Sequence, residues 1–344
     1  MTTPEIVEAA PAKLNLYLHV LGRRADGFHE LDSLVAFADV GDTVTARPGF
    51  ARVALRGMAL PPVGPRLAVS GPFGAALMGE DPSRNLVIRA AHALAARLGR
   101  EADVVLMLDK RLPVASGIGG GSADAAATLR ALARLWEVPA DAALLYEVGV
   151  TLGADVPVCL AGRPAFFGGI GEQLDEAPAL PDCHAVLVNP GVPVPTPAVF
   201  KARSGAFSAP ARFTRAPADA AELAALLRER GNDLTAPALT VAPVIADVLA
   251  SIEGTAGCLL SRLSGSGATC FGLYATAAQA AEAASGIAAA QPKWWVKPAR
   301  LLPAPADAPP LPRGLQVPAR QDLGQDMAPP PPIPFPDTGG WGVG

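Results

Sequence analysis

The sequence predicts a globular protein that mixes β-strands with α-helices, and two segments carry most of that prediction. Residues 12–20, AKLNLYLHV, alternate apolar and polar side chains with the period of two that is typical of a half-buried strand. Residues 85–99, NLVIRAAHALAARLG, space their apolar side chains as one face of a helix that ends at Gly99. With 344 residues, 50% of them hydrophobic, the chain can bury the core of one large domain or of two ordinary ones.

The remaining elements follow in chain order. Asp26-Gly27 predicts a turn after the first strand, and residues 42–70 predict short strands joined by loops that contain Gly and Pro. A strand is predicted over 103–113, and a strongly helical run begins at Ser122. The later predictions are a helix in 141–153, a strand over 185–191, helices near 219–229, 240–252 and 276–287, and a Gly/Ser loop leading into a strand in 261–274.

The character of the chain changes near residue 303. Twelve of its 36 prolines lie in residues 303–344, and this segment has few apolar side chains to bury. Such a composition is typical of a disordered or polyproline-like tail. We therefore expect the folded body of the protein to end near residue 302.

Composition excludes several classes of protein. The formal net charge is −4 and no run of Lys or Arg stands out, so neither a nucleic acid nor a membrane surface is an expected partner. No apolar stretch reaches the roughly 18 residues of a transmembrane helix, and the N-terminus lacks the apolar region of a secretory signal, which favours a cytoplasmic location. The cysteines lack zinc-site spacing and are expected to be small buried side chains: Cys159, Cys183, Cys258 and Cys270. The sequence leaves the oligomeric state open.

The densest glycine run, Gly117 to Gly121, is followed by Ser122 at the start of a predicted helix. Glycines let the backbone approach a ligand closely, and a helix N-terminus attracts anions, so this run predicts a phosphate-binding loop; a tight turn or hinge is the alternative. No Lys follows the glycines, as a Walker A loop requires. Ser122 stands where a dinucleotide fingerprint has its third glycine, and no clean βαβ unit surrounds it. Both common nucleotide motifs therefore fit poorly.

Three motifs together resemble those of the GHMP kinases. PVASGIGGGSADAA, residues 113–126, is similar to the glycine-rich motif with which that family holds the phosphates of ATP. PAKLNLYLHVLGRRADGFHEL near the N-terminus and SRLSGSGATCFGLY near the C-terminus resemble the family's two other motifs, in the same order and at matching spacing. The resemblance covers roughly residues 10–300.

The resemblance implies a two-domain α+β fold. Residues 1–170 are expected to form an ATP-binding N-terminal domain that is similar to ribosomal protein S5, and residues 171–302 a ferredoxin-like C-terminal domain. ATP and the substrate would lie in the cleft between them. Residues 303–344 would be the Pro-rich tail.

The resemblance also implies a catalytic pair. Asp155, in LGADVPVCL, occupies the place of the family's catalytic aspartate and is expected to take the proton of the attacking hydroxyl. Lys13 is expected beside it, where its ammonium group would favour the carboxylate and offset charge on the transferred phosphoryl group. Without the resemblance, Asp155 would be a helix cap or turn residue and Lys13 a solvated strand residue. Glu147, Glu172 and Asp124 are the competing carboxylates.

ATP is the expected co-substrate, accompanied by Mg²⁺ and with no dedicated metal ligands on the protein. Asn85 is expected to contact the adenosine part. Relatives often carry Asn where Asp124 stands. The remaining ATP contacts are expected from the glycine motif: Pro113, Val114, Ala115, Ser116, Gly117, Ile118, Gly119, Gly120, Gly121, Ser122 and Ala123.

Within the family, RADGFHEL, GDTV, LGADVPVCLAG, GIGE and PTPAVF resemble the members that act on a small-molecule substrate, a cytidine diphosphate-linked methylerythritol. The resemblance implies phosphorylation of its 2-hydroxyl in the non-mevalonate isoprenoid pathway. Phe28 and Phe200 are expected to sandwich the cytosine ring while His29 hydrogen-bonds its edge; core aromatics are the alternative for both phenylalanines. Further substrate contacts are expected from Asn15, Thr196, Gly265, Ser266 and Gly267.

Three alternatives remain to be weighed. Another GHMP kinase would act on homoserine, mevalonate or a sugar, but such a substrate has no cytosine for the GFH and PTPAVF stretches to bind. A protein of the same fold that binds nucleotide or a partner without catalysis would not need both Lys13 and Asp155. A dinucleotide-dependent oxidoreductase is disfavoured by the glycine spacing described above.

Overall fold

Two β-sheets, one from each half of the chain, form the framework of the structure. The computed structural model describes residues 4–49, 64–78, 81–138, 142–305 and 308–315. The first half contributes the strands β1 (Ile6–Arg23), β2 (His29–Pro48), β3 (Arg66–Ser70), β4 (Val104–Asp109), β5 (Ala165–Gly169) and β6 (Gln173–Glu176). Its helices are α1 (Leu86–Arg97), α2 (Gly120–Leu135), α3 (Ala142–Leu152) and α4 (Val156–Ala161), with short 3₁₀ turns at Gly74–Leu77 and Pro82–Arg84.

The second half has four strands and five helices in the described residues. Its strands are β7 (His184–Asn189), β8 (Leu260–Leu263), β9 (Cys270–Tyr274) and β10 (Trp295–Arg300). Its helices are α5 (Thr196–Ala202), α6 (Ala220–Arg228), α7 (Thr235–Val241), α8 (Val244–Glu253) and α9 (Ala277–Ala290). The first sheet runs β3-β4-β2-β5-β6 with β1 paired to β2, and the second runs β10-β7-β9-β8.

The long hairpin of β1 and β2 is the centre of the first sheet. The strand predicted over 12–20 lies within β1, but it is buried on both faces rather than half-buried. Leu14 and Leu16 belong to a core that both halves share, while Lys13 and Asn15 on the other face are buried at the interdomain cleft. The alternation therefore separates a core face from a site face over residues 13–16. Beyond the register shift between Asn15 and Tyr17 the assignment reverses, because Tyr17 joins the core and Leu18 lines the cleft.

Several elements were not predicted. Residues 29–41 form the first part of β2, where the apolar run around Leu34 is buried on both sides of the strand and so shows no alternation. The strand β10 contains Pro298, which is tolerated because this strand lies at the edge of its sheet. Residues 50–63, within the region predicted as short strands, lie outside the described residues.

The expected domain boundaries differ from the structure in two places. β6 pairs with β5, so the first sheet extends to Glu176 and a boundary at residue 170 divides a hairpin. The Pro-rich segment is also ordered where it is described: Leu311 is buried, its N–H donates to Glu176 (3.2 Å), and Arg163 donates to the carbonyl of Pro309 (2.8 Å). Apolar side chains spaced among the prolines thus continue the core beyond residue 302; residues 306–307 and 316–344 lie outside the described residues.

The loop before α2 and the loop between β8 and β9 pack backbone against backbone. The N–H of Thr269 donates to the carbonyl of Ser116 (3.0 Å), and the Ser264 hydroxyl donates to the carbonyl of Gly117 (3.1 Å). Gly117 has a positive φ of 78°, and a Cβ placed there would lie 2.5 Å from the Ser264 carbonyl oxygen. Only glycine fits this contact, which joins the two halves of the chain beside the cleft.

A buried cluster of charges lies beneath the start of α2. The Lys110 ammonium group donates to one carboxylate oxygen of Asp42 and to one of Asp124, at 2.6 Å each. The second oxygen of Asp124 is buried and has no hydrogen-bond partner among the described residues. Burial raises the pKa of Asp124 to about 7; Lys110 opposes this shift and Asp42 adds to it. A single ammonium group therefore pairs with two carboxylates, and the charged form of Asp124 is disfavoured by burial.

Replacing Gly117 by Ala is expected to destabilise the protein strongly, because the added Cβ meets rigid backbone of the second glycine loop. Gly191→Ala is the matched control: its φ is 76°, but nothing lies within 4 Å of an added Cβ. We expect urea unfolding to show a loss of about 1 kcal/mol for the control and at least about 2 kcal/mol more for Gly117→Ala. Equal losses would show that the loop contact contributes nothing beyond backbone strain.

Replacing Asp124 by Asn is expected to change how stability depends on pH. The folded-state pKa is raised from 3.8, so the contribution of this group falls as pH rises from about 4 to about 7 and is lowest above that range. An amide at this position does not ionise, so the stability of the variant relative to the parent should improve between pH 5 and pH 8 by on the order of 2 kcal/mol. Glu147→Gln, which replaces an exposed carboxylate paired with Arg97, is the control in the same urea titrations. A pH-independent difference for Asp124→Asn would contradict the assignment.

Candidate active site

A cleft of about 1190 Å³ lies between the two halves of the chain. The first half contributes β1, the turn before β2, the start of α1 and the glycine loop before α2. The second half contributes α5 with its following loop, and the loop between β8 and β9. Of the residues predicted for the site, those that line the cleft are Lys13, Asn15, Phe28, His29, Asn85, Pro113, Val114, Ala115, Ser116, Gly117, Gly119, Gly120, Gly121, Ser122, Asp155, Thr196, Phe200, Gly265 and Ser266.

Lys13 and Asp155, which both line this cleft, form an ion pair. The Lys13 Nζ lies 3.1 Å from Oδ2 of Asp155, with side-chain exposures of 5% and 33%. Asp155 directly precedes α4, yet its side chain makes no capping hydrogen bond to that helix and faces Lys13 instead. Asp155 thus occupies the cap and turn position that is the alternative to a catalytic role, but its side chain does not cap the helix, and the carboxylate remains open to a ligand.

Asn15 holds Lys13 in place. Its amide oxygen accepts from Nζ of Lys13 (2.9 Å), and its amide nitrogen donates to the Ser33 hydroxyl (2.8 Å). The Lys13 backbone N–H donates to the carbonyl of Ile118 (2.9 Å), which fixes the strand against the glycine loop. Asn15 was predicted to bind the substrate; the structure gives it a positioning role as well.

The glycine loop lies against this pair. A Cβ at Gly119 would lie 3.1 Å from Cε of Lys13 and 3.9 Å from Oδ2 of Asp155, so the glycine leaves room for both side chains. The loop ends at the N-terminus of α2, whose unpaired N–H groups and dipole favour an anion there. Two residues predicted to contact ATP do not line the cleft, because the side chains of Ile118 and Ala123 are buried in the core.

An apolar wall with one arginine lies beside the glycine loop at the start of α1. Asn85 caps this helix, and its amide oxygen accepts from the N–H of Val87 (2.9 Å). The predicted adenosine contact of Asn85 therefore competes with a structural role. The side chains that form this wall are Leu77, Arg84, Leu86, Val87 and Val114.

An aromatic pair forms the opposite end of the cleft. The rings of His29 and Phe200 stack with their centroids 4.8 Å apart and their planes at 23°. Burial lowers the pKa of His29, and the nearby cations Arg23 and Arg203 lower it further. The structure stacks His29 on Phe200, whereas the sequence predicted a sandwich between Phe28 and Phe200 with His29 at the edge.

The second glycine loop, which lies between β8 and β9, closes the cleft from the second half. The hydroxyls of Thr196 and Ser266 lie 2.8 Å apart, which joins α5 to this loop. Gly265 and Ser266 line the cleft as predicted. Gly267 does not line it. A Cβ added at Gly267 would point toward Leu263 and Ile245 in the core of the second half.

The competing carboxylates are accounted for. Glu147 pairs with Arg97 on the surface (3.0 Å), and Glu172 accepts from the N–H of Ile170 (2.7 Å) outside the main cleft. Asp124 is paired with Lys110, which also pairs with Asp42. Neither Lys110 nor Asp42 was predicted from the sequence as a site residue. The GDTV stretch that contains Asp42 was the available signal, but a buried Lys cannot be recognised from its place after a strand.

The described residues contain no group of three or more His, Cys, Asp or Glu side chains placed to hold a metal ion. Among the same residues, no helix combines the length and the apolar composition that crossing a bilayer requires.

The chain matches two family models, GHMP kinases N terminal domain over residues 85–163 and GHMP kinases C terminal over residues 213–293. It is 52% identical over 293 residues to the 4-diphosphocytidyl-2-C-methyl-D-erythritol kinase of Paramagnetospirillum magneticum, covering 85% of this chain and 97% of that one. The enzyme of the same name from Rhodospirillum rubrum is 49% identical over 297 residues, covering 86% and 93%.

Solved structures agree with these relatives. A crystal structure of 4-(cytidine 5'-diphospho)-2C-methyl-D-erythritol kinase superposes with a TM-score of 0.66 at 34% identity, covering 86% of this chain and 98% of that one. Homoserine kinase from Cytophaga hutchinsonii has a TM-score of 0.64 at 18% identity over 88% and 96%, which supports the fold alone. The predicted α+β GHMP kinase fold is confirmed, and the chain belongs to the 4-diphosphocytidyl-2-C-methyl-D-erythritol kinases of the GHMP kinase family.

Proposed function

We propose that this protein transfers the γ-phosphoryl group of ATP to the 2-hydroxyl of 4-diphosphocytidyl-2-C-methyl-D-erythritol, giving the 2-phosphate and ADP in the non-mevalonate isoprenoid pathway. The observation that carries the proposal is the Lys13–Asp155 pair, 3.1 Å apart, set against a glycine loop in one cleft. The relatives that share about half of its residues bear the name of that kinase.

The glycine loop is the proposed triphosphate site. Phosphate oxygens need several N–H donors directed at one point, and a glycine loop that leads into a helix N-terminus supplies them without side chains in the way. The loop abuts Lys13 and Asp155 through Gly119, so a γ-phosphate held there lies beside the pair. The apolar wall around Leu86 and Val114 is then the proposed adenosine site.

Asp155 is proposed to act on the acceptor hydroxyl. The hydroxyl oxygen forms a bond to the γ-phosphorus, the bond between that phosphorus and the β,γ-bridging oxygen breaks, and ADP leaves. The hydroxyl proton passes to the Asp155 carboxylate. Lys13 holds the carboxylate in place and offsets negative charge on the transferred group.

We propose that Mg²⁺ accompanies the nucleotide rather than occupying a protein cage. Mg²⁺ in phosphoryl-transfer sites is held largely by substrate phosphates and water, with few protein ligands. The ion would supply charge neutralisation on the phosphates.

The aromatic end of the cleft is the proposed cytidine site. Cytosine needs a flat apolar neighbour and hydrogen bonds to its edge. The His29–Phe200 stack supplies both kinds of group on one face, and Thr196, on the same helix as Phe200, contacts Ser266 of the second glycine loop. A small acceptor such as homoserine would leave this end of the cleft empty.

A substrate panel tests the proposed reaction. Purified protein is expected to release ADP from ATP in the presence of 4-diphosphocytidyl-2-C-methyl-D-erythritol, and not with methylerythritol phosphate, homoserine or mevalonate. A coupled ADP assay measures the turnover, and ³¹P spectra of the product locate the new phosphate. Absence of turnover with the cytidylated substrate would refute the proposal, and turnover with homoserine alone would favour phosphorylation of homoserine instead.

Asp155→Asn is expected to lower kcat by about 10²–10⁴-fold, because the amide cannot take the proton of the attacking hydroxyl. Nucleotide affinity should stay within about threefold of the parent value, since the glycine loop is intact; fluorescence titration with an ATP analogue measures it. Asp247→Asn, which changes an exposed aspartate on α8, is the control for the same change of charge. Turnover of Asp155→Asn near the parent value would remove Asp155 from this role.

A further inference from the structure

Cations without a carboxylate partner gather around the cytidine end of the cleft. Twelve arginines of the described residues lie in ion pairs with Asp or Glu. Arg23 and Arg203 line the cleft and have no such partner among the described residues. In a chain of net charge −4, a pair of unneutralised guanidinium groups at one end of a cleft indicates an anionic ligand there.

Arg23 and Arg203 stand on the two elements that carry the aromatic stack. Arg23 is the last residue of β1 and lies directly opposite His29 in the β1–β2 register. Arg203 is the residue after α5, the helix that carries Phe200. Arg23 and Arg203 line the same cleft as His29 and Phe200. The register and the helix therefore bring both arginines to the part of the cleft that holds the aromatic stack, in agreement with the direction in which they shift the pKa of His29.

Arg203 is held so that part of its guanidinium group stays available. It lies 4.5 Å above the Phe207 ring, and its terminal nitrogens donate to the carbonyls of Gly205 (3.5 Å) and Ala206 (2.5 Å). A guanidinium group has five N–H donors, so other donors remain. One of these, Nε, is buried without a partner among the described residues. A buried donor of this kind costs free energy unless a ligand oxygen accepts from it.

We propose that Arg23 and Arg203 together bind the diphosphate of the cytidine diphosphate-linked substrate. The proposal rests on the function proposed above. The diphosphate links the cytidine to the alcohol, so it must lie between the His29–Phe200 stack and Asp155. Two guanidinium forks match the paired oxygens of adjacent phosphates better than single ammonium groups do. The arginines thereby select a diphosphate-linked alcohol over a free one.

Calorimetric titration with ligands that carry zero, one and two phosphates tests this assignment. The affinities of cytidine, CMP and CDP are measured for the parent, Arg23→Gln and Arg203→Gln. Each substitution is expected to weaken CDP binding about tenfold, which corresponds to one charge-assisted contact, and to change cytidine binding less than about twofold. The double variant should lose about a hundredfold for CDP if the contacts are independent. Equal losses for cytidine and CDP would overturn the proposal, because the arginines would then serve the base or the local fold.

Lys201→Gln is the matched control. Lys201 lines the same cleft on the same helix, two residues before Arg203, and it loses the same unit of charge. A loss of CDP affinity below about twofold in this variant supports direct contacts by the arginines. A loss as large as that of Arg203→Gln would overturn them in favour of a general positive field.

Turnover by the parent separates this proposal from the one on which it rests. If the parent phosphorylates the cytidylated substrate while the arginine variants bind CDP as tightly as the parent does, only the diphosphate assignment is wrong. If the variants lose CDP affinity selectively while the parent shows no turnover, the proposed reaction is wrong and the diphosphate site stands.

Discussion

The backbone contact between the two glycine loops is the constraint on which the site depends. Gly117 meets the carbonyl of Ser264 where no side chain fits, and the hydroxyl of Ser264 accepts from the N–H of Asn15 (3.2 Å) as well as donating to Gly117. One serine therefore ties together β1 and both loops. That junction sets the distance from Lys13 to the glycine loop and, through Thr196 and Ser266, the position of the cytidine end.

The distribution of charge also distinguishes the cleft from the rest of the surface. The chain as a whole is acidic, and most arginines of the described residues are neutralised on the surface. At the cleft, Lys13 pairs with Asp155, and Lys110 binds two carboxylates beneath the glycine loop. Arg23 and Arg203, which have no carboxylate partner among the described residues, line the cleft, where two phosphate-bearing ligands are proposed to meet. Local arrangement, and not net charge, makes this site attract anions.

Features that lie within one contiguous segment were predictable from the sequence, whereas contacts between distant segments were not. The glycine run and the apolar spacing of α1 are contiguous, so they were predictable from the chain. The proposed catalytic pair brings together residues 13 and 155, and its assignment required the family resemblance because no local pattern marks it. The structure then placed the two side chains together.

The failures have physical causes of the same kind. β2 escaped prediction because burial on both faces removes the alternation that marks a strand. Ile118 and Ala123 lie inside a ligand-binding motif but face the core, since a loop and a helix turn cannot direct every side chain to one side. The stack of His29 on Phe200 joins the first residue of β2 to a helix about 170 residues later, a contact that tertiary packing alone decides.

The central claim is that the glycine loop and the Lys13–Asp155 pair bring the γ-phosphate and the acceptor hydroxyl together. A crystal structure with a non-hydrolysable ATP analogue and the cytidylated alcohol measures this directly. We expect the triphosphate on residues 117–121 and the 2-hydroxyl within about 2.6–3.2 Å of an Asp155 carboxylate oxygen. A hydroxyl that instead meets another base, or a triphosphate bound away from the loop, would contradict the account.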